Sequence, residues 1–138
     1  VATIAAYFIG TVLASQFALA ALNSMGIELS LDDRLMVMAG DLFGLANTYL
    51  PLLAITLVLG FSTTILLLRF LSLHKTALFM VSGFSSLLAI HLILKAVLGV
   101  SPLAATRTFA GLLSQGFAGA LGGYIFSVIF FSPNIRET

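Results

Sequence analysis

His91 has the widest chemistry open to it of any residue in the chain. It sits in the apolar run Thr76–Leu98, eight residues before Gly99, with Lys95 one helical turn later on the same face. An imidazole at that depth could relay a proton, contact a polar ligand or quinone, or ligate haem iron. The plainer alternative is a neutral ring hydrogen-bonded to a neighbouring helix. His74 lies seventeen residues away, roughly 25 Å along a helix, so a haem would need its second ligand from another chain. Haem is therefore a side expectation, and no cofactor is the main one.

Lys95 can snorkel its ammonium to the interface, or pair with an acid from elsewhere, Asp41 first and Asp33 second. Gln16 and Gln115 stand inside apolar runs, where an amide bonds a neighbouring helix or lines a cavity. His91, Lys95, Gln16, Asp41 and Gln115 are thus the candidate ligand-binding set. They carry no recognisable catalytic arrangement: the sequence has no HExxH, no phosphate-binding glycine loop and no Ser/His/acid set within reach on readable elements. It has no cysteine and only two histidines and five acids, which leaves little for a metal site.

Gly116, Ala118, Gly119, Ala120, Gly122 and Gly123 form overlapping small-xxx-small pairs. Such residues let helix backbones approach closely in lipid. They fit either packing inside one bundle or an interface with a second copy or a partner membrane subunit.

The elements that must position these residues follow from composition. Apolar residues make up 60% of the 138 and charged residues 8%, against roughly a quarter charged in soluble domains. A net charge of +1 excludes a nucleic-acid surface. The class is a polytopic membrane protein, all-α, a single integral membrane domain over 1–138 with membrane lipid as its surroundings.

Four spans are expected at about 1–22, 50–71, 76–98 and 108–131. Ala18-Leu19-Ala20 resembles a signal-cleavage site, but no basic region precedes it, so the first run reads as a retained span. Gly26 suits a left-handed helix cap, and Pro51 suits a first helical turn. Ser101-Pro102 reads as a cap and first position, and Ser132-Pro133 as a stop. A fourth helix running unbroken from Pro102 would exceed the bilayer core, so it must tilt or bend.

Between the first two spans, Ser30-Leu31-Asp32-Asp33 resembles a capping box. Leu31, Leu35, Met38, Leu42 and Leu45 then recur at helical spacing. This stretch, about 31–47, is expected to be a short amphipathic helix at the membrane interface, in the headgroup plane or packed on the bundle. At an offset of 73, Gly10 meets Gly83, Gly26 meets Gly99 and Arg34 meets Arg107, the trace of a two-span repeat.

The compact Arg69, His74, Lys75 cluster favours a cell inner membrane with both termini cytoplasmic. The expected function is non-enzymatic: an oligomeric or accessory subunit of a membrane complex or transport system. The alternatives are a binder of lipid or hydrophobic ligand using His91 and Lys95, and a haem or quinone anchor through His91.

Overall fold

The computed structural model describes residues 1–70, 74–99 and 103–131. The elements run α1 (Ala2–Ser24), α2 (Leu31–Leu67), α3 (Lys75–Leu98), a 3₁₀ turn (Ala104–Arg107) and α4 (Phe109–Phe130), with no strand among the described residues. All four helices are long and apolar enough to cross a membrane, and inside hydrocarbon a helix satisfies its own backbone groups. The chain is therefore an all-α bundle compatible with an integral membrane protein.

The helix ends follow local chemistry. Gly26 takes φ 82°, and the Gly26 and Ile27 N–H groups bond back to Asn23 and Leu22, which closes α1 in a Schellman motif. Gly99 closes α3 with the simpler left-handed cap at φ 68°, its N–H bonded to the Lys95 carbonyl. The two glycines related by the offset of 73 thus share one conformation. Ser30 starts α2 with a reciprocal capping box to Asp33.

The interfacial helix does not exist as a separate element. Residues 31–47 and the second span form one 37-residue helix, α2, with Pro51 inside it rather than at its first turn. The reason is phase. Met38, Leu42 and Leu45 are half-buried, and the same face continues as the buried Tyr49, Leu53, Leu57, Phe61 and Thr64. No break in that stripe separates two helices, and Pro51 removes only the bond its N–H would make to the Asn47 carbonyl. At the start of the stripe Leu31 and Leu35 do not pack on the bundle: both are exposed.

The fourth span resolves its excess length by dividing. The 3₁₀ turn tucks Ala105 and Thr106 against the bundle, and the Thr108 hydroxyl then accepts from the Gly111 N–H to start α4. The Ser101-Pro102 cap, Leu71, the Ser132-Pro133 stop and Arg136 lie outside the described residues.

The small residues of α4 are used inside the chain. A Cβ on Gly119 would strike the Gly83 carbonyl, and one on Gly123 would strike the Phe79 carbonyl. A Cβ on Gly122 would lie 2.9 Å from the Ala6 methyl, and one on Gly116 would strike the Phe84 ring. Ala118 is fully buried and Ala120 half-buried. α4 is thereby clasped between α1 and α3. At one end of the bundle Phe61, Phe79 and Phe126 stack at 4.6–5.6 Å between centroids, and Lys75 lies 4.7 Å over the Phe131 ring.

Candidate functional site

The polar side chains of the bundle centre meet in one chain of hydrogen bonds that touches every helix. From α4, Gln115 Nε2 donates to the Gly10 carbonyl of α1 at 2.9 Å. Tyr49 Oη of α2 lies 3.0 Å from Gln115 Oε1 and 2.9 Å from His91 Nε2 of α3. All three side chains are buried, Gln115 completely. Gly10 gives the amide room: a Cβ there would sit 2.9 Å from Gln115 Oε1.

Proton positions follow from the inventory of donors and acceptors. A carbonyl only accepts, so Gln115 must turn its nitrogen to Gly10 and its oxygen to Tyr49. That oxygen also only accepts, so the Tyr49 hydroxyl donates to it. The hydroxyl's one proton is then spent, and His91 Nε2–H donates to Tyr49. His91 is therefore the Nε2–H tautomer when neutral, and its Nδ1 carries a lone pair with no partner among the described residues.

This geometry fits a haem poorly. Nε2 is engaged by Tyr49, the two rings lie 5.7 Å apart, and His91 is 2% exposed. Lys95 is exposed on α3, outside this cluster.

A second polar seam joins α1 to α2. The Ser15 hydroxyl donates to Asp41 Oδ2 at 2.6 Å, Gln16 Nε2 lies 3.2 Å from Met38 Sδ, and the Tyr7 hydroxyl bonds the Leu42 carbonyl. Asp41 thus meets Ser15, where the sequence suggested Lys95. Gln16 is exposed and Asp41 half-buried. The Tyr7 ring lies 6.2 Å from that of Tyr49, which brings the two polar regions side by side. The Thr11 hydroxyl of α1, fully buried, has no partner among the described residues.

Of the five candidates, the structure brings His91 and Gln115 together through Tyr49 and leaves Gln16, Asp41 and Lys95 elsewhere. Tyr49 and Gly10 escaped the sequence reading. Tyr49 fell at the supposed junction of two helices. Its signal was available, since Tyr49, Leu53, Leu57 and Phe61 recur every fourth residue.

Outside the core, α2 and α3 diverge around a groove of about 400 Å³ lined by Gly60, Thr63, Ser82, Ser85, Ser86 and Ala89 among others. Gly60 is needed there, because a Cβ would collide with the Ser86 hydroxyl. His91 does not line the groove.

Among the described residues no group of three or more His, Cys, Asp and Glu could hold a metal ion. Comparison with protein family models, curated proteins and solved structures finds no match to the chain.

Proposed function

We propose that this chain is a non-enzymatic subunit of a membrane assembly or transport system, seated in a cell inner membrane with both termini cytoplasmic. The observation that carries the reading is the network from Gly10 through Gln115 and Tyr49 to His91. It ties four helices together through bonds between their own polar groups, which suits a rigid module better than a reaction chamber. The Arg69, His74 and Lys75 cluster near the turn between α2 and α3 supports the orientation.

The groove between α2 and α3 is the assembly face in this reading, and its occupant is a second copy of the chain. Its lining sets Gly60, Ala89 and the hydroxyl residues Thr63, Ser82, Ser85 and Ser86 beside Leu67, Leu78 and Val81, and small and hydroxylated residues let helices approach and bond in lipid. The same chain carries a helix face suited to such a contact. Gly40 and Gly44 on α2 have open space where a Cβ would be, beside exposed Leu31, Leu35, Met36 and Phe43.

Native mass spectrometry in mild detergent tests this. The chain is expected as a defined oligomer, and Ser85→Phe or Ala89→Phe, at exposed groove positions, should return it to monomer. A monomeric wild type with bound lipid would favour the lipid-binding alternative. A wild type seen only with a different protein would make it an accessory subunit.

A further inference from the structure

Three helix termini meet at one end of the bundle. α2 ends at Leu67, α3 begins at Lys75 and α4 ends at Phe130, the level at which a span leaves the hydrocarbon. Arg69 and Lys75 there border a pocket of about 220 Å³ whose other walls are Ile65, Leu68, Phe130 and Phe131. Both cations are exposed, while Ile65, Leu68 and Phe131 are half-buried. The pocket thus joins an apolar wall to two positive charges at the height of the lipid headgroups.

We propose that this pocket binds an anionic phospholipid, with the phosphate on Arg69 and Lys75 and the acyl chains along the apolar walls. The planar Arg69 guanidinium can take two phosphate oxygens at once, and the Lys75 ammonium adds a point charge. Basic pockets between membrane helices are recognised sites for such headgroups.

Charge is the first argument. Among the described residues the carboxylates are Glu28, Asp32, Asp33 and Asp41, which lie in the first half of α2 or just before it, toward the opposite end of the bundle. The end that holds Arg69 and Lys75 has no described acid, so its complement is an anion from outside.

The placement of Lys75 is the second. A cation in the first turn of a helix works against the helix dipole, which favours negative charge there. α3 nevertheless opens with Lys75, with no acid in its first turn and no side-chain cap. The Phe131 ring, 4.7 Å from the ammonium, holds it at the pocket.

The apolar walls choose a lipid over a free anion. Lys75 also borders a second recess, of about 590 Å³, with Ala77 and Met80. A phospholipid has two chains to place, and the two recesses beside one cation give each an apolar bed. A soluble phosphate would use neither.

The inference does not rest on the assembly reading, because no residue of this pocket lines the groove between α2 and α3. Native mass spectrometry of the full chain, with phosphatidylglycerol and phosphatidylcholine of the same chain length added in equal amounts, tests it. The wild type should retain phosphatidylglycerol in preference, saturating at one per chain. Arg69→Gln and Lys75→Gln should each lower that preference about fivefold, and the double variant roughly twenty-five-fold. Lys75→Arg, which keeps the charge, should retain it. Arg107→Gln removes an exposed cation of the 3₁₀ turn and should leave it unchanged. Equal retention of the two lipids by the wild type would overturn the proposal. So would a loss in Arg107→Gln as large as in Lys75→Gln, since net charge and not a site would then be responsible. Displacement of the bound lipid by inorganic phosphate would overturn a lipid as the ligand.

Discussion

Two helix seams of this bundle are built by opposite means. Between α3 and α4, Gly83 meets Gly119 and Phe79 meets Gly123 backbone to backbone, with no polar side chain needed at those crossings. Between α1 and α2, the rungs are Ser15 to Asp41, Gln16 to Met38 and Tyr7 to the Leu42 carbonyl, and the glycines of that part of α2, Gly40 and Gly44, touch nothing. In lipid there is no hydrophobic force between helices, so a seam holds by contact or by hydrogen bonds. The first kind excludes everything else and is rigid. The second holds by directional bonds between polar groups.

The comparison breaks most readily at the glycines. Gly119→Val drives a branched side chain into the Gly83 carbonyl and should cost about 3 kcal/mol in detergent unfolding, near the upper range for overpacking. Gly40→Ala, in open space, should leave stability unchanged or raise it slightly. Equal losses at the two sites would erase the distinction between the seams.

Tyr49→Phe comes next. It strands Gln115 Oε1 and His91 Nε2 in the core and should cost about 1–2 kcal/mol. A double-mutant cycle with Gln115→Leu should be clearly non-additive, because the two share one bond. Additive losses would mean that the four-helix network does not act as a unit.

Ser15→Ala should be milder, about 0.6 kcal/mol, the average for polar contacts between membrane helices. A loss matching that of Gly119→Val would make the polar seam as structural as the glycine one.

The smallest effect is at the start of α2. Hydrogen bonds from the Ser30 hydroxyl and backbone N–H hold the Asp33 carboxyl below its usual range. A lowered folded-state value stabilises at neutral pH, and that contribution disappears as pH falls through it. Amide exchange in the first turn of α2 should therefore quicken on acidification, and Asp33→Asn should lose this dependence. The α3 and α4 seam, which holds no carboxylate, should show no matching change.

Much of this architecture is legible in local sequence, because its causes are local. Gly26 and Gly99 end helices since a left-handed residue favours glycine, and Ser30 with Asp33 starts one since the two satisfy each other's free groups. The error over 31–47 was one of weighting. The capping box and the leucine spacing set 31–47 apart as a short interfacial helix, although the stripe from Met38 to Thr64 keeps its phase across the supposed break.

The candidate site was half visible. His91 and Gln115 stand out as polar residues in apolar runs. Tyr49 is common at helix borders, and a bare glycine such as Gly10 gives no hint that its carbonyl will accept from a residue 105 positions away.

The sequence by itself determined the all-helical class, the apolar spans and the helix ends at Gly26, Ser30 and Gly99, since apolar run length, capping chemistry and glycine's freedom at positive φ act within a few residues. Only the tertiary structure decided which faces meet. It turned the α4 glycines inward, joined four helices through Tyr49, and brought Asp41 to the Ser15 hydroxyl. The physical reason is that lipid rewards every apolar face about equally. The choice of neighbour falls to close backbone contact and hydrogen bonds between distant residues, and neither leaves a periodic mark in the chain.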